Sequence, residues 1–298
     1  MLTLTRQPTT YGALVRAGLD LLSNAGVANA AQDTRWLLER ALGTTGLRLR
    51  VESDHPVSEE HRNLAWSLLA RRASGEPLQY LLGTQEFCGL DFEVGPAVLI
   101  PRPETELLVQ ELTQLSERPA NGNAPLVADI GTGSGCIAVA LVHALPKAMV
   151  YATDLSAEAL DIACRNAGRH GVTERVRFLE GDLLAPLAGL GLEGRLAAVV
   201  SNPPYIPAGD LSGLQREVRR EPRLALDGGP DGLTLYRRLL HEAKPYLALG
   251  GTLALEVGQG QAGPVCRMAE ESGGYESIQV RRDEAGIERV VCLQKSER

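Results

Sequence analysis

The chain has 298 residues, 44% of them hydrophobic and 22% charged, enough apolar material for about two domains with buried cores and too much for a disordered chain. Thirty Lys and Arg against 37 Asp and Glu leave a formal charge of −7, which excludes general coating of nucleic acid by long-range attraction. No apolar run approaches the roughly 18 residues a membrane-spanning helix needs, and Met1 to Thr10 lacks the charged-then-apolar layout of a signal peptide, so a cytoplasmic protein is expected.

From Tyr11 to Gly75 the apolar residues recur with helical spacing three times. Leu14, Leu21 and Leu22 mark a first stripe. Ala30, Leu37, Leu38 and Ala41 mark a second, opened by Asn29, and Leu64, Leu68 and Leu69 a third, opened by Ser58. Gly26 and Gly43 end the first two helices. Residues 1–75 thus read as a helical domain, and 76–103 as a β-hairpin linker with strands at Leu90–Val94 and Val98–Ile100. Its prolines make a stiff connection. A helix is expected over Glu104–Leu115 and a loop at Pro119–Asn123.

Strands and helices alternate over the rest of residues 104–298. Strands are expected at Leu126–Ile130, Met149–Thr153, Val176–Leu179, Ala197–Val200, Thr252–Val257, Ser277–Val280 and Arg289–Leu293. Helices are expected at Gly135–Leu145, Ala157–Gly168, Leu233–Leu247 and Gln261–Glu271. Apolar strands joined by helices need crossover connections, hence an α/β fold with a mostly parallel seven-stranded sheet, its last two strands antiparallel.

Five cysteines (Cys88, Cys136, Cys164, Cys266, Cys292) form no Cys-x-x-Cys pair, and the five histidines are equally dispersed. Neither a disulfide framework nor a metal site is indicated.

Gly131, Gly133 and Gly135 lie between the first strand of the sheet and the helix after it, a turn that lets a ligand lie against bare backbone. A dinucleotide site needs Gly-x-Gly-x-x-Gly, but the third position here is Cys136. Gly-x-Gly-x-Gly after an acidic strand end is similar instead to the Rossmann-like S-adenosylmethionine (AdoMet) methyltransferases. On that pattern Gly131, Thr132, Gly133, Ser134 and Gly135 approach the cofactor, Asp129 faces its cationic amino-acid end, and Asp154 at the next strand end accepts from the ribose hydroxyls. Asp182, after Gly181, is placed near the adenine amino group.

The fourth strand runs into Asn202-Pro203-Pro204-Tyr205. Each proline fixes its own φ and restricts its predecessor, so the turn has little freedom. An amide nitrogen is a poor nucleophile, its lone pair being delocalised. A rigid turn can hold its N–H groups on the Asn202 side-chain oxygen and the Pro203 carbonyl, with the Tyr205 ring against the planar group.

Such a turn after an AdoMet fold is shared by methyltransferases of adenine and of glutamine amino groups. Three further segments, Gln85–Phe92 (QEFCGLDF), Leu99–Glu106 (LIPRPETE) and Leu226–Leu233 (LDGGPDGL), resemble the protein-(glutamine-N5) methyltransferases of peptide chain release factors, the PrmC or HemK family. The resemblance implies AdoMet as methyl donor, S-adenosylhomocysteine as product, and the glutamine of the Gly-Gly-Gln loop of class I release factors as substrate. It implies cofactor contacts at Gly131 to Gly135 and Asp154, with Asn202 beside them, and a glutamine-binding turn at Asn202, Pro203, Pro204 and Tyr205. The stiff linker makes the helical domain the expected second contact for the substrate, and a monomer with no nucleic-acid or membrane partner is expected. Relatives often carry an aromatic residue over the adenine where this chain has Leu183. Arg102 is expected to pair with Glu104 or Glu106, and Asp227-Gly-Gly to be a turn. An adenine-N6 methyltransferase would need a base-flipping pocket and a basic recognition region, and no long Lys/Arg-rich insert is present. A silent AdoMet-fold module binding the translation machinery would have no use for the constrained turn.

Overall fold

The computed structural model describes residues 8–113 and 124–296. The end of the helix expected at Leu115, the loop at Pro119–Asn123 and the first seven residues lie outside them. The chain divides into two compact units, Met1–Gly83 with Gln215–Arg220, and Thr84–Leu214 with Glu221–Arg298.

The first unit is helical: α1 (Tyr11–Asn24), α2 (Ala30–Leu42), α3 (Gly46–Val51), α4 (Glu59–Ala73) and α5 (Leu78–Leu82). The two short helices α3 and α5 escape a periodicity reading because neither completes two turns. Thr10 and Ser58 cap α1 and α4 through their side chains, and Gly43 closes α2 at a φ of 59°. At Gly18 a Cβ would lie 2.8 Å from the Thr34 methyl, so the missing side chain lets α1 and α2 cross closely. The expected stripe on α4 shifts by one residue: Leu64 is 46% exposed, and the buried face is Ala65, Leu68, Leu69 and Arg72. That set keeps the i, i+3, i+4, i+7 spacing, with a cation in the last place. Burial of Arg72 is offset by Asp33 at 2.7 Å and by Glu217 of the Gln215–Arg220 segment at 2.9 Å.

The second unit opens with a hairpin of β1 (Thr84–Phe87) and β2 (Leu90–Glu93). Its turn is Cys88-Gly89, both at positive φ (52° and 74°), as a two-residue hairpin requires. Val98–Ile100, expected as the second strand, is irregular. Val98 and Ile100 are buried, and the Ile100 N–H donates to the Glu221 carboxylate at 3.1 Å rather than to a neighbouring strand. After a single 3₁₀ turn at Pro103–Thr105 comes α6 (Glu106–Thr113).

The sheet then builds from β3 (Leu126–Ile130), β4 (Met149–Asp154), β5 (Val176–Glu180), β6 (Leu196–Ser201), β7 (Leu247–Glu256), β8 (Tyr275–Arg282) and β9 (Glu288–Lys295). Its order is β5-β4-β3-β6-β7-β9-β8, with β9 antiparallel to both neighbours and the other pairs parallel. The linking helices are α7 (Cys136–Ala144), α8 (Ala157–Arg169), α9 (Thr234–Glu242) and α10 (Ala262–Ser272). They cover two apolar layers, one including Leu141, Val150 and Val200, the other Ile130, Leu239 and Leu255. The helix expected over Leu233–Leu247 ends at Glu242, because Pro245 cannot continue it, and β7 begins five residues before the expected Thr252. The register with β6 slips between Leu196 and Ala198 to absorb the extra residues. Gly251 sits there, where a Cβ would fall 2.9 Å from the Leu196 carbonyl oxygen. Among the described residues no helix is long and apolar enough to cross a membrane.

Candidate active site

From β3 the chain moves outward to β4 and β5, then returns to add β6 on the other side of β3. Ligand crevices of open α/β sheets form at such a reversal, beyond the carboxyl ends of the strands. Register aligns those ends, Ile130 lying opposite both Thr153 and Ser201. The next residues, Gly131, Asp154 and Asn202, therefore emerge on one edge. They line a cavity of about 300 Å³ that lies wholly within the second unit.

The glycine turn is pinned from below. Gly131 and Thr132 donate their N–H groups to the Thr153 carbonyl, each at 2.9 Å, and Gly133 donates to Asp154 Oδ2 at 2.8 Å. Gly131 and Gly133 have φ of 73° and 56° with open space where a Cβ would be, so bare backbone faces the cavity. Gly135 differs. It is absent from the cavity wall, and a Cβ there would meet Ala163 Cβ at 3.0 Å, so it serves the packing of α7 on α8. Ser134 lines the cavity, and its carbonyl accepts from Asn166 Nδ2 at 2.8 Å. Asn166 also bonds both backbone groups of Glu93, tying β2 to the turn. Nothing in the sequence marks that buried amide on α8.

Asp129 is fully buried beneath the turn and does not reach the cavity wall. Its Oδ2 accepts from the Thr132 hydroxyl at 2.6 Å, while among the described residues Oδ1 has no well-formed hydrogen bond, although the Ala138 N–H still favours the ionised carboxylate. Burial pushes its pKa up to about 7. Asp154 uses Oδ1 on the Ser156 N–H at 2.9 Å, and Ser156 caps α8. Burial raises its pKa against these backbone bonds. Each of its carboxylate oxygens retains a lone pair for a further donor.

Asp182 and Leu183 also line the cavity. Both Asp182 oxygens are engaged by Arg238, at 3.0 and 2.9 Å, an ion pair that the Gly-Asp pattern did not foretell. Leu183 holds a φ of 46°, fixed by the Thr153 hydroxyl donating to its carbonyl at 2.8 Å. Bare glycine backbone, a carboxylate with spare lone pairs at Asp154 and an aliphatic wall at Leu183 fit AdoMet, with its ribose and adenine, while the buried Asp129 acts on its cationic end only through charge beneath the turn.

Asn202 and Pro204 line the same cavity, whereas Pro203 is buried behind them. The Tyr205 ring packs inward on the cluster containing Leu255 and lies beside Gly258, not on the cavity wall. Burial raises its pKa to about 12, so it stays neutral. The chain after the turn is held by the segment Leu226–Leu233. Ile206 donates to the Leu226 carbonyl at 3.0 Å, Gly228 to Ile206 at 2.8 Å, and Ala208 to Gly229 at 2.9 Å. At Gly228 a Cβ would lie 2.8 Å from the Pro204 carbonyl oxygen and from Tyr205 Cα. Asp227-Gly-Gly is thus more than a turn: it clamps the end of the Asn-Pro-Pro-Tyr segment. Gln261 adds a bond from Nε2 to the Tyr205 carbonyl at 2.9 Å.

Arg102 also lines the cavity, but pairs with Glu221 and with neither Glu104 nor Glu106. Glu106 accepts instead from the Cys88 N–H at 2.8 Å, closing the hairpin turn. Long-range pairs such as Arg102 with Glu221 leave no local signal.

Residues 13–83 match the PrmC N-terminal domain and residues 103–216 the methyltransferase small domain. The chain is 49% identical to a release factor glutamine methyltransferase of Geobacter sulfurreducens, over 91% of each chain. To that of Moorella thermoacetica it is 46% identical, over 93% of this chain and 95% of the relative. In fold it is similar to the catalytic domain of human METTL16 in complex with a MAT2A hairpin (TM-score 0.55, 17% identity, 77% of this chain and 81% of that one). A METTL16 N-terminal domain in complex with SAH aligns with a TM-score of 0.51 at 16% identity, covering 82% of this chain and 86% of that one. At such identities the solved structures speak for the fold alone, whereas near half identity over nine tenths of two chains speaks for descent. The chain belongs to the release factor glutamine methyltransferase family.

Proposed function

We propose that the protein transfers a methyl group from AdoMet to the side-chain amide nitrogen of the Gly-Gly-Gln glutamine in a class I peptide chain release factor. The observation that carries this reading is the meeting of Asn202 and Pro204 with the Gly131–Gly133 turn and Asp154 in one cavity. When bound, the cofactor supplies a methyl carbon made electrophilic by a positive sulfur. Asp154 and the backbone of Gly131 to Gly133 hold it, Leu183 covers the adenine, and Asp129 adds negative charge beneath the turn. The Asn202 side-chain oxygen and the Pro203 carbonyl accept the two N–H groups of the glutamine amide, so that its lone pair points at the methyl carbon. As positive charge grows on that nitrogen, both acceptors bind it more strongly, which lowers the barrier. Pro204 bounds the turn, and Tyr205 anchors its end through the ring and the carbonyl. On this reading the enzyme works in the cytoplasm as a monomer without metal or a nucleic-acid substrate, in keeping with a net charge of −7.

The test is mass spectrometry of an intact release factor after incubation with the enzyme and AdoMet. One methyl group on the Gly-Gly-Gln glutamine is expected, and methylation of adenine in DNA with none on the factor would overturn the assignment. Asn202→Ala should lower kcat on the order of a hundredfold while AdoMet affinity stays within a few-fold, because the lost acceptor faces the reacting amide.

A further inference from the structure

Beside Asn202 runs a buried polar chain, its Thr105 reaching the cavity wall, to which the proposed cofactor and substrate contacts assign no role. Asn202 Nδ2 donates to Thr105 Oγ1 at 3.1 Å, and Thr105 Oγ1 donates to Glu256 Oε2 at 2.6 Å. Thr105 and Glu256 are each 2% exposed, and among the described residues no ion pair holds the Glu256 carboxylate. Glu256 is the last residue of β7, and its predecessor Leu255 pairs with Ser201, so the sheet register itself sets Glu256 beside Asn202. Thr105 comes from the 3₁₀ turn after Pro103. Arg289 and Arg102 attract the carboxylate only from a distance, and a buried carboxylate without a direct ion pair is costly.

A role for it follows from proton counting. A threonine hydroxyl carries one proton. While Glu256 is ionised, above about pH 7, that proton goes to its carboxylate and Oγ1 can only accept from Asn202; a protonated Glu256 would donate instead and release the constraint. In the ionised state the Asn202 amide must turn its NH₂ end to Thr105, leaving Oδ1 as the end available in the cavity. In the opposite orientation Asn202 would present N–H groups to the N–H groups of a substrate amide, and both would lose their partners. We infer that Thr105 and Glu256 are positioning residues that set the orientation of the Asn202 amide, so that its oxygen meets the glutamine to be methylated. The inference rests on the proposed role of Asn202 in accepting from that glutamine.

Thr105→Val keeps the shape and removes the hydroxyl, so Asn202 loses its orienting acceptor. Steady-state kinetics on the intact release factor should show kcat at least tenfold lower, with KM for the factor and Kd for AdoMet within about threefold. Thr105→Ser, which retains the hydroxyl, should return kcat to within about threefold of the parent. The decisive measurement is the double variant Thr105→Val with Asn202→Ala. Once the oxygen to be aimed is gone, removing its guide should slow turnover no further. A structural role for Thr105 would instead give losses that multiply. Multiplying losses, or parental kcat in Thr105→Val beside a slow Asn202→Ala, overturn the inference and leave the role of Asn202 standing. Parental kcat in Asn202→Ala overturns both. Should Thr105→Val not fold, Thr105→Ala removes the same hydroxyl with less demand on packing, and the same outcomes apply.

Discussion

At the scale of single residues, carboxylates of the candidate site also shape the backbone around it. Asp154 binds the N–H groups of Gly133 and Ser156, so it shapes the glycine turn and the start of α8 before any ligand arrives. Asp154→Ala should therefore weaken AdoMet binding by about 1.5–3 kcal/mol, the scale of hydrogen bonds to a charged group, roughly ten- to a hundredfold in Kd. Calorimetry checks this, and NAD should give no heat. Asp129 bears on the pH dependence of binding. With its pKa near 7, it gains charge as pH rises through neutrality. A cation bound above it favours the ionised form, so AdoMet affinity should rise between pH 6 and pH 8. Asp129→Asn should flatten that slope, and an unchanged slope would remove Asp129 from the account.

At the scale of elements, two local arrangements bear on stability. The Asn-Pro-Pro-Tyr segment owes its rigidity to two prolines and also to the clamp at Leu226–Leu233. Gly228→Ala puts a methyl group 2.8 Å from backbone atoms of Pro204 and Tyr205, which have no rotamer with which to yield. Overpacking of this kind costs about 1–3 kcal/mol. A lower melting temperature should come with a drop in kcat larger than any change in AdoMet affinity, because the displaced backbone belongs to the turn proposed to hold the substrate. In the helical unit, α4 buries Arg72 on its apolar face against Asp33 of α2. Asp33→Ala leaves that cation with the partly exposed Glu217 and the Glu76 carbonyl, and loss of one partner from a buried pair costs about 3–5 kcal/mol. Denaturant unfolding should place this variant at the low end of that range.

At the scale of the whole molecule, Asp129 and Glu256 are both pushed up to about 7 by burial. A carboxyl whose folded pKa is raised contributes stability that is present below its unfolded pKa, near 4, and is lost as pH rises through 7. Carboxylates held down by arginines, among them Glu93, Glu217 and Asp283, act oppositely and lose their contribution as pH falls below about 4. The cofactor-free protein should thus be most stable between about pH 4 and 6 and lose melting temperature toward pH 8. A melting temperature that climbs steadily from pH 5 to pH 8 would contradict the shifts assigned to Asp129 and Glu256. The substrate prediction also belongs here. A glutamine side chain offers too little surface for selective binding, so an intact release factor should be methylated far faster than a short Gly-Gly-Gln peptide, by comparison of kcat/KM.

Much of this protein was legible in its residues because the signals are local. Strand and helix periodicity, the Gly131–Gly135 turn, the acid at Asp154 and the rigid Asn202–Tyr205 segment each declare themselves within a few positions, and they led to the sheet, the cofactor and the family. Local signals failed where partners are distant. Val98–Ile100 has the composition of a strand, yet its backbone bonds to Glu221, more than a hundred residues on. Leu64 is apolar but lies one step off the face that α4 buries. Asp227-Gly-Gly reads as a turn until folding lays it on the Tyr205 backbone. Thr105 and Glu256 stand 151 positions apart, and only the register of β6 with β7 brings their hydrogen bond beside Asn202. A sequence determines which groups are available and how each short segment bends. Which buried donor meets which acceptor is decided when the sheet closes, because hydrogen bonds of this kind depend on distances between strands that sequence spacing does not encode.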